Sequence, residues 1–134
     1  MERLHTTALV LSTLACAACA AWAQDPAATD GDKYKVLLEN DRVRVLAYSD
    51  RPGEKTQQHL HPAFVVYALG PFKRRLTLAD GRQLERDFKT GDVLYSTGEV
   101  HIGENIGDTD THVLFVELKD GATPSAGDGS LGPR

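Results

Sequence analysis

The chain has 134 residues and a formal net charge of −4, with 15 basic against 19 acidic side chains. This acidic balance gives no basic footprint for nucleic acid, so the sequence predicts no nucleic-acid partner. Both cysteines, Cys16 and Cys19, lie near the start of the chain, so a metal site further along would use nitrogen and oxygen ligands.

Residues 1–23 have the pattern of an export signal. Arg3 and His5 form a short basic start, an apolar run follows over residues 8–21, and Ala21-Trp22-Ala23 is a small-x-small cleavage site. The run is shorter than the roughly twenty residues that a membrane anchor needs. The sequence therefore predicts cleavage after Ala23, a periplasmic or secreted protein, and no membrane attachment once the signal is removed.

The mature chain has the length of one domain with polar ends. Residues 24–34 predict a flexible lead-in and residues 120–134 a disordered tail, because both are poor in large apolar side chains. Between them, over residues 35–119, short apolar runs alternate with turn signals and none has the period of an amphipathic helix. The fold class is all-β, and closure of the strands into a sandwich or barrel would remove exposed edges. The predicted strands are 35–38, 43–48, 55–61, 64–69, 73–78, 82–88, 93–96, 100–102 and 112–118.

The pattern most indicative of chemistry is His59-Leu60-His61, followed forty residues later by His101. Residues two apart on a strand project to the same face, so the two imidazoles would lie side by side. A third histidine from another strand would complete a three-nitrogen metal site with open coordination positions. Two histidines on one strand face also occur at surfaces without a metal, so the motif gains weight from its surroundings.

Those surroundings resemble the cupins, small jelly-roll β-barrels of the RmlC-like type that hold a metal inside the barrel. The first cupin motif has a glycine, five residues, then His-x-His, and Gly53 precedes His59 and His61 with that spacing. Gly70 serves as its closing glycine. The second motif is matched by Gly91, His101 and Asn105, with Thr97 at its proline position and one residue fewer before the histidine. The resemblance covers roughly residues 36–119 and implies a cupin barrel with His59, His61 and His101 as metal ligands.

One departure from the cupin pattern changes the expected chemistry. Phe64, Val65 and Val66 stand where the motif has its glutamate ligand, so the usual carboxylate is absent. Three neutral imidazoles leave a divalent ion near +2, which favours anionic or chelating ligands. Glu99 is an alternative donor if it shares a strand face with His101, although Gly98 makes a turn plausible there.

The resemblance implies a divalent metal cofactor, with Fe(II) first and manganese, zinc, nickel or copper as alternatives. Tyr67 and Tyr95 are candidates for catalytic residues beside the metal, since each lies on a strand neighbouring the site, although core packing is an alternative role for both. His112 is expected at the surface. Three functions stay open: a dioxygenase-like enzyme acting on a small molecule, a non-catalytic module binding a small ligand or metal, and a metal-free isomerase. A homodimer is also allowed, because small cupins commonly pair through strand edges.

Overall fold

A computed structural model describes residues 24–119, so the predicted signal (1–23) and tail (120–134) lie outside the described residues. The all-β prediction is confirmed: nine strands follow one helical turn, α1. The elements are α1 (Pro26–Thr29), β1 (Tyr34–Glu39), β2 (Val43–Asp50), β3 (His59–His61), β4 (Phe64–Ala68), β5 (Phe72–Leu78), β6 (Gln83–Phe88), β7 (Val93–Ser96), β8 (Glu99–Asn105) and β9 (Thr111–Leu118).

The strands form two antiparallel sheets that face each other. One has five strands in the order β1-β2-β9-β4-β7, and the other has four in the order β3-β8-β5-β6. Alternate residues of each strand point between the sheets, as the buried Phe64, Val66 and Ala68 of β4 show. Their apolar side chains pack with Leu46 and Val113 into one core. The three histidines come from β3 and β8, which are neighbours in the smaller sheet.

The predicted flexible lead-in differs from what the structure places at residues 24–33. The side chain of Asp25 accepts a hydrogen bond from the backbone N–H of Ala27 (2.8 Å) and caps α1, which starts at the buried Pro26. The carbonyl of Gln24 accepts a hydrogen bond from the N–H of Leu60 on the histidine strand (2.8 Å). Backbone and capping hydrogen bonds hold this polar segment in place. The prediction used amino-acid composition, which does not reveal such hydrogen bonds.

The predicted strand over residues 55–61 is regular only at its end, His59–His61. Thr56 nevertheless joins the segment to β8: its N–H donates to the carbonyl of Gly103 (2.9 Å) and its hydroxyl accepts from the N–H of Gly103 (2.9 Å). Strand β8 is longer than the predicted 100–102 and begins at Glu99. The histidine strand is thereby fixed along one side by β8.

Within residues 24–119 the structure contains no helix with the length and apolar character needed to cross a membrane.

Candidate metal centre

Three histidines converge between the sheets. His59 and His61 lie two apart on β3 and share its inner face, whereas Leu60 between them points outward. His101 is the direct cross-strand partner of His59 in the β3–β8 pair. All three side chains are buried, and one ring nitrogen of each lies within 4.8 Å of the other two. The structure thus brings together the three residues that the sequence predicts as metal ligands.

An oxygen atom faces the Nδ1 nitrogen of each ring. Nδ1 of His59 lies 2.9 Å from the carbonyl of Gln57, that of His61 lies 2.7 Å from the carboxylate of Glu117, and that of His101 lies 3.0 Å from the carboxylate of Glu99. Because these oxygens accept hydrogen bonds, the ring protons belong on Nδ1. The lone pairs on Nε2 are therefore free for a metal ion, and the hydrogen bonds fix the rings in that orientation.

Burial keeps two of the imidazoles uncharged at neutral pH. It lowers the pKa of His59 to about 3, and the neighbouring His61 and His101 act in the same direction. It also lowers the pKa of His61 to about 3, again with help from His101. A metal ion would meet neutral nitrogen donors that need not lose a proton from Nε2. Three buried imidazoles held in one orientation, two of which the fold keeps uncharged, fit a divalent transition metal.

The two glutamates near the site act on the far side of the rings. Glu99, the alternative fourth donor, directs its carboxylate to Nδ1 of His101, and its pKa is lowered mainly by that hydrogen bond. Glu117 is buried, and burial raises its pKa to about 7 against the opposing effect of Arg44, whose guanidinium lies 3.7 Å away. Both carboxylates hold histidines rather than face the Nε2 nitrogens.

The residue that does face these nitrogens is Tyr34, the first residue of β1. Its hydroxyl lies 3.2 Å from Nε2 of His59 and 3.4 Å from Nε2 of His61. The side chain is 4% exposed, and burial raises its pKa well above the usual range. No motif marks Tyr34 in the sequence, and β1 lacks the alternation of apolar and polar residues that would have indicated an inward side chain.

A cavity of about 510 Å³ lies between the sheets and reaches the site at His101 and Glu99. Its size is that of a pocket for a small organic molecule. Exposed Leu84 on β6 and Tyr95 on β7 contribute to the lining, so the cavity extends to the edge strands of both sheets. Aromatic rings make up much of the inner wall: Phe64, Phe72, Phe88 and Phe115.

Solved structures show which fold this is. A cupin domain from Bordetella pertussis Tohama I is similar with a TM-score of 0.59 at 25% identity, over 64% of this chain and 91% of that chain. An uncharacterized conserved protein with a double-stranded β-helix domain from Klebsiella pneumoniae has a TM-score of 0.54 at 22% identity, over 67% and 78%. A cupin 2 conserved barrel domain protein from Salinispora arenicola has a TM-score of 0.52 at 24% identity, over 70% and 81%. This domain has the cupin fold. No family model matches the sequence, and no curated protein matches it either.

Arg74, which lines the cavity of the cupin domain, belongs to a buried ion pair. The guanidinium of Arg74 on β5 donates to the carboxylate of Asp50 (2.9 Å) and to the hydroxyl of Tyr48 (2.8 Å), and that hydroxyl donates in turn to Asp50. Asn105 donates to the other oxygen of Asp50 (3.2 Å). The guanidinium lies against Gly103, one same-face position along β8 from His101. It therefore places a cation in the cavity beside Gly103, which is two residues, or roughly 7 Å along the strand, from His101.

The two tyrosines predicted beside the metal lie further out in the cupin domain. Tyr67 is 43% exposed on the outer face of β4, and Tyr95 is 60% exposed at the edge of the cavity. Among the described residues, the tyrosine ring packed against His59 and His61 is that of Tyr34. His112 is exposed on β9.

Proposed function

We propose that this protein is an exported, metal-dependent cupin enzyme that acts on a small organic molecule bound in the cavity between the sheets. The observation that carries the proposal is a cluster of three buried, Nδ1-anchored histidines that meets a cavity of about 510 Å³ at His101. A purely structural histidine cluster would not need a cavity of ligand size beside it. Export rests on the basic start, apolar run and small-x-small site of residues 1–23.

The metal ligands in this proposal are His59, His61 and His101. Iron(II) is the preferred ion, with manganese, zinc, nickel or copper as alternatives. Imidazole is a favourable ligand for iron, zinc, nickel and copper. Bound iron(II) would supply activation of oxygen beside a chelating substrate.

The protein residues would bind and orient the substrate. The aromatic wall of the cavity would bury its apolar part and exclude water. Arg74 uses two donors on Tyr48 and Asp50, and a guanidinium has five in all. The remaining donors could pair with an acceptor group on the substrate, so we favour a small molecule with a polar or anionic end and an apolar body.

The experiment compares metal content and oxygen uptake in mature, tag-free protein and in the variants His59→Ala and His101→Ala. We expect about one metal ion per wild-type chain and little in either variant. Iron-loaded wild-type protein should consume oxygen with a member of a panel of thiols, diketones and flavonols. Equal metal content in all three proteins would overturn the proposed site. Tight ligand binding without turnover would instead identify a non-catalytic binding module, and activity that survives a chelator would identify a metal-free enzyme.

A further inference from the structure

The hydroxyl of Tyr34 occupies a position that the three-histidine description of the site leaves unexplained. It is buried, and its polar contacts within the described residues are the Nε2 atoms of His59 and His61 at 3.2 and 3.4 Å. These are the two nitrogen atoms that the proposed metal would bind. The hydroxyl therefore lies beside the metal position itself, on the opposite side of the rings from the Nδ1 anchors.

The two distances have the values expected between ligands of one metal ion. Donors bound at about 2.0 to 2.1 Å from a common centre are separated by about 2.9 Å at right angles and about 3.4 Å at tetrahedral angles. The separations of the Tyr34 oxygen from the two nitrogens, 3.2 and 3.4 Å, fall within that range. The oxygen is thus spaced from His59 and His61 as a fellow ligand would be.

The ring of Tyr34 is fixed in this place by its neighbours. Its centroid lies 4.5 Å from that of Tyr48, which is its cross-strand partner on β2, and 6.0 Å from that of Phe115. The backbone N–H of Tyr34 donates to the carbonyl of Asp30 (2.9 Å). A side chain held on several sides can present its oxygen to a metal without losing further conformational freedom.

The position of Tyr34 also leaves the cavity side of the site open. The cavity is lined by His101 but not by Tyr34, His59 or His61. A ligand supplied by Tyr34 would occupy a coordination position on the side of the metal away from the cavity. Coordination positions facing the cavity would remain for a substrate. The carboxylates of Glu99 and Glu117, in contrast, are engaged with Nδ1 atoms.

From this arrangement we infer that Tyr34 is the fourth protein ligand of the metal centre and supplies the anionic oxygen that the missing motif glutamate would have supplied. The inference rests on the proposed metal site. As the oxygen binds the cation, the phenol proton leaves to water, and the net charge of a divalent centre falls from about +2 to about +1. Tyrosine oxygen is an established iron ligand, as in the haem of catalase, and an anionic oxygen favours the higher oxidation states of iron and copper.

The test uses the colour of a metal–phenolate bond. Mature protein, Tyr34→Phe and the control Tyr95→Phe are loaded with one equivalent of ferric or cupric ion, and visible spectra and metal affinities are recorded. We expect a phenolate-to-metal charge-transfer band in wild type and Tyr95→Phe, its loss in Tyr34→Phe, and at least tenfold weaker metal binding in that variant. Circular dichroism of the metal-free proteins checks that the variants fold.

A second measurement needs no variant. Resonance Raman spectra of the loaded wild-type protein, excited within the band, should show phenolate ring modes that shift when ring-deuterated tyrosine is incorporated. Stoichiometric metal binding without these modes would overturn the role of Tyr34 and leave the three-histidine site standing. A band of equal strength in Tyr34→Phe would do the same. Failure of the wild-type protein to bind metal would overturn the site and this inference together.

Discussion

The carboxylate of Glu117 lies 2.7 Å from Nδ1 of His61 and so connects the larger sheet to the histidine strand of the smaller one. Carboxylates in this position orient a metal-binding histidine and increase the basicity of its other nitrogen. Glu117→Ala removes both the charge and the acceptor, and we expect it to weaken zinc binding about 10- to 100-fold. Glu117→Gln keeps an acceptor oxygen, so its zinc affinity should lie between that of Glu117→Ala and that of the wild-type protein. Competition with a chelating dye measures the affinities.

A matched control for Glu117 is Asp80→Asn, in the exposed hairpin between β5 and β6. Asp80 pairs with Arg82 there, on a surface turn away from the histidines. This variant should bind zinc as the wild-type protein does. Wild-type affinity in Glu117→Ala would contradict the orienting role of the carboxylate.

Gly103 is required by the close approach of Arg74. A Cβ atom at this position would lie 2.2 Å from Nη2 of Arg74, whose guanidinium is held by Asp50 and Tyr48. Gly103→Ala must therefore displace a buried ion pair, and we expect a loss of about 1 to 3 kcal/mol in the free energy of unfolding. The control is Gly70→Ala, since a Cβ there meets nothing within 4 Å. Urea unfolding distinguishes the two, and equal stability would contradict this packing.

The strands and the histidine trio could be predicted because their signals are local. Alternation and turn residues located all nine strands, and the period of two on His59-Leu60-His61 placed both imidazoles on one face. The spacing of Gly53 before them and of Asn105 after His101 added the cupin resemblance. These features depend on neighbours in sequence, which a single chain displays directly.

The role of Tyr34 could not be predicted in the same way, because it depends on contacts distant in sequence. The tyrosine reaches the site through the pairing of β1 with β2 and the packing of the two sheets, and β1 shows no readable alternation. Tyr67 points outward because its neighbours Val66 and Ala68 point into the core, and the run Phe64–Ala68 has no polar residue that would show this alternation in the sequence. The ordering of residues 24–33 likewise depends on hydrogen bonds to β3.

The buried histidines make the stability of the metal-free protein depend on pH. The pKa values of His59 and His61 are lowered by burial to about 3, so between pH 3 and 6.5 the unfolded chain binds more protons and stability falls as pH falls. Burial raises the pKa of Glu117 to about 7, which opposes this trend between pH 4.5 and 7. The two histidines outweigh the one glutamate. For each proton by which the unfolded chain exceeds the folded one, the free energy of unfolding changes by about 1.4 kcal/mol per pH unit.

We therefore expect the thermal midpoint of the metal-free protein to fall as pH is lowered from 6.5 to 4. In Glu117→Gln the opposing contribution is removed, so the fall between pH 6.5 and 4.5 should be steeper than in wild type. His112→Gln, at an exposed histidine, should follow the wild-type curve. A midpoint that does not change across this range would show that the two imidazoles are not held neutral by the fold.

Strand β1 is an edge of the larger sheet and carries three exposed apolar residues in a row, Val36, Leu37 and Leu38. Antiparallel pairing of two copies about Leu37 would place Lys35 opposite Glu39 of the partner subunit, which is a favourable cross-strand charge pair. We expect a homodimer joined at β1, measured by analytical ultracentrifugation. Leu37→Lys puts a charge at the centre of the pair and should give monomers. Val93→Lys, on the opposite edge strand β7, should remain dimeric, and a monomeric wild-type protein would rule out pairing at this edge.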